Sequence, residues 1–295
     1  MNEAVTNTTI EPTTATMCNN HDKQELDKPV FLPRHARIPM NRCNLSADIL
    51  GSLTYQNSPA PLELDGVKAL YSEFLSRLDS INNIEERAQL FLDYMDVAFC
   101  LHDLERAGFN KDNRRHRKKA DYLKMARGWS FDPDGREAAV LKGWVQSRFG
   151  LIPRFHIEPI QTPDCNSYLR YQEMRSTGIY NTNALDTQLD LLYTFCQYEL
   201  QRRSPEKKHL TLYRGVNRLD QYELLQTINK RERIILLNNL NSFTDQIDRA
   251  EEFGDYILEA QIPISKVVFF HKLLPRMLKG ESEYVVIGGV CRVKQ

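Results

Sequence analysis

The run Tyr284-Val285-Val286-Ile287, preceded by Glu281-Ser282-Glu283 and followed by Gly288-Gly289, most limits what this chain can become. Short, apolar and β-branched, it reads as a buried strand. In extended backbone, residues two apart project to one side, so Glu281 and Glu283 share a side with Val285 and Ile287. Carboxylates at the mouth of a buried strand need water or a partner, because an unpaired buried charge is costly. A wet strand end meets that need. So does a site that stabilises a developing cation and activates a nucleophile.

Two upstream stretches bear on that choice. Leu210-Thr211-Leu212-Tyr213-Arg214-Gly215-Val216 alternates with period two and sets Arg214 in a row with Leu210, Leu212 and Val216. An arginine in an apolar row calls for a carboxylate or a phosphate. Leu240-Asn241-Ser242-Phe243-Thr244-Asp245 supplies hydroxyls at the end of a further strand, entering a short helical pattern.

Composition narrows the classes. The 295 residues hold 39 Lys plus Arg and 39 Asp plus Glu, a formal net charge of zero, which argues against a bulk nucleic-acid binder. Six scattered cysteines form no C-x-x-C pair and seven histidines show no ligand spacing. That usage fits a reduced, cytoplasmic protein without a metal site. An N-terminal apolar region and any run of 18 apolar residues are both missing from the sequence, so neither a leader nor a membrane span is expected.

Along the chain, residues 1–32 predict a mobile polar tail, 33–205 a mainly helical region and 206–295 a strand-rich catalytic core; 33–295 can equally form one domain. One helix follows Asp65 as N-cap, with Val67, Leu70, Tyr71, Phe74 and Leu78 on one face. Another runs from Asn83 to Gly108, with Asp93, Asp96 and Asp103 on its wet side. The basic run Arg114–Lys119 reads as a solvated helix face or as a patch that steers an acidic partner. Helices are expected over Ala138–Phe149 and Ala184–Gln201, with a proline-rich connector over Leu151–Asp164 between them. Trp129 and Trp144 read as core anchors. Strands follow at Leu210–Val216, Ile234–Asn241, Tyr256–Ile262, Lys266–Phe270 and Tyr284–Val293, with short helices at Asp220–Lys230 and Asp245–Phe253. The class is α+β, a helical N-terminal portion packed on a C-terminal sheet.

Arg214, then Ser242-Phe243-Thr244, then Glu281-Ser282-Glu283, each on an expected strand and in that order, resembles the R-S-E motif of arginine-specific mono-ADP-ribosyltransferases. The segments from Asn41 (NRCNLSADILGSLTYQ), Ala120 (ADYLKMARGWSFDPDGREAAVLKGWVQSRFGLIPRFH) and Thr211 (TLYRGVN) resemble the NAD-dependent dinitrogenase-reductase ADP-ribosyltransferases of nitrogen-fixing bacteria. The likeness runs from about Arg37 to the C-terminus.

The resemblance implies an ADP-ribosyltransferase-type split β-sandwich with NAD, the co-substrate, between two small sheets. It implies Glu283 as the carboxylate facing the ribose and Glu281 as the base that orients the acceptor arginine. It further implies Arg214 on the diphosphate or adjoining ribose, Ser242 beside Glu283 or the nicotinamide ribose, and Thr244 shaping the turn; Tyr213 and Phe243 either flank the nicotinamide or, as strand aromatics more often do, belong to the core. Many relatives read Ser-Thr-Ser where this chain reads Ser-Phe-Thr, so the hydroxyl role rests on Ser242. The implied protein substrate is dinitrogenase reductase, the nitrogenase iron protein, whose modified arginine switches off nitrogen fixation; the implied regulator is a PII-type signalling protein. Two alternatives stay open: an ADP-ribosyltransferase or NAD glycohydrolase with another target, and a non-catalytic helical interaction module.

Overall fold

The structure, a computed structural model, describes residues 30–102, 120–179, 184–275, 278 and 282–295. The expected tail up to residue 29, the basic run 114–119 and Glu281 lie outside the described residues. The architecture is mixed α+β: helices dominate up to Arg203, strands beyond His209.

Short helices α1 (Ala47–Leu50), α2 (Leu53–Asn57) and α3 (Val67–Leu70) come first, then α4 (Ser72–Asp79) and α5 (Ile84–Ala98). The helix expected after Asp65 is broken at Tyr71 (φ −106°, ψ 22°), and its first residue follows Gly66, not Asp65. Leu70 is exposed as a result, while Tyr71, Phe74 and Leu78 are buried. In α5 the Asn83 side chain accepts from the backbone N–H groups of Glu85 and Glu86, a sound N-cap. The helix ends at Ala98, short of the expected Gly108, where Cys100 turns left-handed (φ 50°).

Next come α6 (Tyr122–Phe131) and α7 (Arg136–Phe149), the hairpin β1 (Phe155–His156) with β2 (Glu158–Pro159), then α8 (Asn166–Ile179) and α9 (Leu185–Arg203). The expected connector over 151–164 thus contains the hairpin. Helices α6 and α8 go beyond the sequence expectation. Helix α9 is apolar on most sides because it lies inside, with Leu189, Leu191, Leu192, Phe195 and Cys196 buried. Its Glu199 receives Arg87 of α5 through Nε (2.5 Å) and Nη2 (3.1 Å). Both side chains are fully sequestered, and Arg87 Nη1 spends its protons on the carbonyls of Ile81 and Asn82.

The strand region comprises β3 (His209–Val216), β4 (Glu223–Thr227), β5 (Glu232–Thr244), β6 (Tyr256–Pro263), β7 (Val267–Phe270) and β8 (Glu283–Lys294), with α10 (Ile247–Glu251) after β5. The helix expected over Asp220–Lys230 is instead a single 3₁₀ turn, Leu219–Gln221, followed by β4. Pairing with β5, Leu224 opposite Ile235 and Thr227 opposite Arg233, overrides the local helical pattern.

Strands β5 and β8 pair antiparallel from Thr244 opposite Glu283 to Glu232 opposite Lys294, with a bulge between Leu237 and Leu240. The other edge of β5 is shared. Strand β4 takes it up to Leu236 and β3 takes it at Thr244, opposite Tyr213. Strand β8 divides its second edge likewise between β7 and β6. Since β3 and β6 also pair along their length, the pairings β5–β3–β6–β8–β5 close on themselves. The edge of β5 therefore opens between β4 and β3, and Asn238, Leu240, Asn241, Ser242 and Phe243 line a cleft there. Two glycines permit close approaches in this region. A Cβ on Gly215 would sit 1.9 Å from Ala250 O of α10, and one on Gly288 would sit 1.7 Å from Asn238 O at the bulge.

Candidate active site

The cleft, about 690 Å³, lies where the helical region meets the opened edge of β5. Adjacent strands bring two expected residues together. Ser242 on β5 stands opposite Val285 and Thr244 opposite Glu283, so the Ser242 and Glu283 side chains meet diagonally. Ser242 Oγ donates to Glu283 Oε1 at 2.6 Å. Arg214 arrives from β3 between buried Leu212 and Val216, as its period predicts. Its Nη1 donates to the Ser242 carbonyl at 2.7 Å and its Nε to the Tyr222 hydroxyl at 2.9 Å. These neutral acceptors stand where a carboxylate or a phosphate was expected, and a guanidinium carries five N–H donors, more than these two bonds use.

The remaining expected residues line the same cleft in different ways. Tyr213 is half-buried. Phe243 is buried against the core. Thr244 Oγ1 accepts the backbone N–H of Gln246 at 3.2 Å, shaping the turn into α10. Strand β8 begins at Glu283, because Ser282 is left-handed (φ 59°). The extended-backbone premise linking Glu281 to Glu283 therefore ends at Ser282.

Helix α6 supplies what sequence reasoning did not assign. Trp129, expected as a core anchor, is indeed buried, yet its Nε1 donates to Ser242 Oγ at 2.9 Å and its ring faces the cleft. Ser130 Oγ donates to Glu283 Oε2 at 2.6 Å. Neither residue carries a periodic signal; the one trace of them is their place inside the GWSFDPDG segment quoted above.

Lys142 of α7 closes the floor. Its ammonium, fully buried, donates to Pro133 O (2.8 Å), Phe155 O (3.0 Å) and Asp134 Oδ1 (3.1 Å), and stands 3.2 Å from His156 Nδ1. Burial pushes its pKa down to about 8 despite Asp134. His156 is pushed down to about 4, first by burial and then by the Lys142 charge. The other ring nitrogen of His156, Nε2, lies 3.3 Å from Met174 Sδ. Through Lys142 the loop after α6 is tied to β1. Asn238 at the β5 bulge adds a second tie, accepting the Arg154 backbone N–H at 2.8 Å. Arg154 also lines the cleft, with Glu223 Oε2 at 3.6 Å from its Nη2.

Chemically, the cleft offers a carboxylate held by two hydroxyls, guanidinium and ammonium groups around it, and aromatic walls. Among the described residues, no group of three or more His, Cys, Asp or Glu side chains could hold a metal ion. No helix among them is long and apolar enough to cross a membrane.

The sequence profile described as Dinitrogenase reductase ADP-ribosyltransferase (DRAT) matches residues 40–295. A protein of Rhodospirillum rubrum named NAD(+)--dinitrogen-reductase ADP-D-ribosyltransferase is 38% identical over 259 residues, covering 86% of this chain and 93% of the relative. No solved structure matches the chain. With the match spanning β3, β5 and β8 and the helices packed on them, the chain belongs to the dinitrogenase reductase ADP-ribosyltransferase family.

Proposed function

We propose that this protein transfers ADP-ribose from NAD to an arginine of dinitrogenase reductase, and so switches off nitrogen fixation. The observation that carries the proposal is the convergence of Arg214, Ser242 and Glu283 in a single cleft, with Arg214 bonded to the Ser242 carbonyl and the Ser242 hydroxyl to Glu283. Its volume falls in the range of roughly 300–1,000 Å³ common for ligand sites. The donor set also suits the substrate: Arg214 is a cation for a diphosphate, and Ser242 and Glu283 are partners for a ribose. The divided edges of β5 and β8 are consistent with the split β-sandwich of ADP-ribosyltransferases.

The nicotinamide–ribose bond of NAD is cationic at nitrogen, so its cleavage builds positive charge on the ribose, as in glycoside hydrolysis. Glu283, held by hydroxyls on both oxygens, offers fixed negative charge to that oxocarbenium-like transition state and an acceptor for the ribose 2′-hydroxyl. Arg214 keeps Ser242 in place through its carbonyl and turns its remaining donors to the diphosphate. Tyr213 and Phe243 wall the nicotinamide side. Thr244 sets the turn that seats α10. Glu281 is assigned the acceptor arginine, a poor nucleophile while protonated, and general-base help of this kind contributes about 10²–10⁴ in rate. A PII-type signalling protein is the proposed regulator and the cytoplasm the proposed location, in keeping with free cysteines at Cys43, Cys100, Cys165, Cys196 and Cys291.

The test is mass spectrometry of purified iron protein after incubation with this protein and NAD. One ADP-ribose on one arginine is expected. Nicotinamide release without protein modification would identify a glycohydrolase, and label on other proteins alone would identify another target.

A further inference from the structure

Near its C-terminal end α6 carries two side chains that act on the carboxylate at the start of β8: Ser130 bonds it directly, and Trp129 reaches it through Ser242. An indole N–H can only donate. Ser242 Oγ therefore accepts from Trp129 Nε1 at 2.9 Å, and its own proton is directed to Glu283 Oε1 at 2.6 Å. The Ser130 hydroxyl has two acceptors in reach, Glu283 Oε2 at 2.6 Å and Ala126 O at 3.4 Å. The carboxylate is much the closer, so this proton too goes to Glu283. Each carboxylate oxygen thus receives one hydroxyl: one from β5, with its direction set by α6, and one from α6 itself.

Taking Glu283 as the charged group facing the ribose, which rests on the function proposed above, the geometry points to Trp129 and Ser130 as positioning residues for the reaction. Together they fix the rotamer of Glu283 and the polarity of the Ser242 hydroxyl. Packing alone does not account for them. Ser130 is exposed, and water would satisfy its hydroxyl equally well, yet that hydroxyl is aimed at the carboxylate. Trp129 is 3% exposed, and its single polar atom goes to a β5 side chain across the domain instead of a nearby carbonyl. The end of α6 is also clamped from beneath: Lys142 Nζ lies 5.8 Å from the Trp129 ring and donates to Pro133 O, just past the helix. A dipeptide so held can set the angle of a third group. Its carboxylate keeps lone pairs free for a ribose hydroxyl, since each oxygen accepts two bonds.

Residues that act through Glu283 should change turnover more than NAD affinity. The experiment measures kcat and KM for nicotinamide release by Ser130→Ala, Ser130→Thr and Trp129→Phe, beside wild type and Glu283→Gln. A hydrogen bond to a charged group corresponds to about tenfold or more in rate when it is lost from the transition state. Ser130→Ala and Trp129→Phe should each lower kcat about tenfold or more, with KM for NAD within about threefold of wild type. Ser130→Thr, which keeps the hydroxyl, should restore most of kcat. Should Trp129→Phe fail to fold, the Ser130 pair decides, because that position is exposed. Wild-type kcat in Ser130→Ala, equal losses in Ser130→Ala and Ser130→Thr, or a raised KM with kcat intact would overturn the assignment. Absence of nicotinamide release by wild type would instead overturn the functional reading beneath it.

Discussion

Replacing Arg214 by lysine probes how the cleft is held open and aligned. Strand β3 meets β5 through one residue pair, Tyr213 opposite Thr244, and Arg214 reinforces that junction with two bonds in different directions. A guanidinium can span Tyr222 and the Ser242 carbonyl at once; an ammonium, with one compact head, reaches one of them at a time. Hydrogen bonds from charged donors contribute about 1.5–3 kcal/mol each. Arg214 is half-buried, so the lower figure applies. Lysine should therefore forfeit about 1.5 kcal/mol of alignment, or about tenfold, before any loss of the diphosphate contact. Alanine forfeits both bonds, about 3 kcal/mol, or on the order of 100-fold. The assay is kcat/KM for nicotinamide release, with thermal unfolding to confirm the fold. A lysine variant within about threefold of wild type would refute the claim that the two-pronged contact aligns Ser242.

Other expectations concern stability and packing. Glu199→Ala strands the buried Arg87 charge and should cost about 3–5 kcal/mol, read as a lowered denaturation midpoint, whereas an exposed-pair control such as Glu73→Ala should be near neutral. His156 is buried and neutral with its pKa lowered to about 4, so the unfolded chain binds the extra proton first. Its contribution is fully present above about pH 6.5 and is lost as pH falls towards 4, and His156→Gln should flatten unfolding curves in that window. Parallel curves for the two proteins would count against this. Gly215→Ala puts a methyl 1.9 Å from Ala250 O and should displace α10, lowering the thermal midpoint.

The strands that carry the chemistry were legible for two reasons: β3 alternates with period two, and β8 is a continuous apolar, β-branched run. Arg214 in the apolar row of β3 and Glu283 leading the run of β8 stood out as charges in apolar company, but that β5 lies between the two strands and pairs with both is a fact of the sheet and not of the pattern. Strand β4 was misread because its side chains fit a helix locally; what decides it is the row of β5 residues opposite, which lies outside any local window. Ser130 and Lys142 escaped notice, and Trp129 was read as a core anchor alone, for a related reason. Their meaning comes from residues 113 and 153 positions away, or from a hairpin hidden among prolines, and nothing in α6 or α7 alone announces it. The Arg87–Glu199 pair was equally invisible, since each charge sits on its own helix and only tertiary packing makes them partners.

The most direct measurement compares nicotinamide release from NAD, with and without the iron protein, for wild type and Glu283→Gln. A carboxylate clasped by Ser242 and Ser130 at the head of β8 predicts that the amide variant binds NAD but loses release and transfer together, by about two orders of magnitude or more. Full turnover by Glu283→Gln would contradict the account.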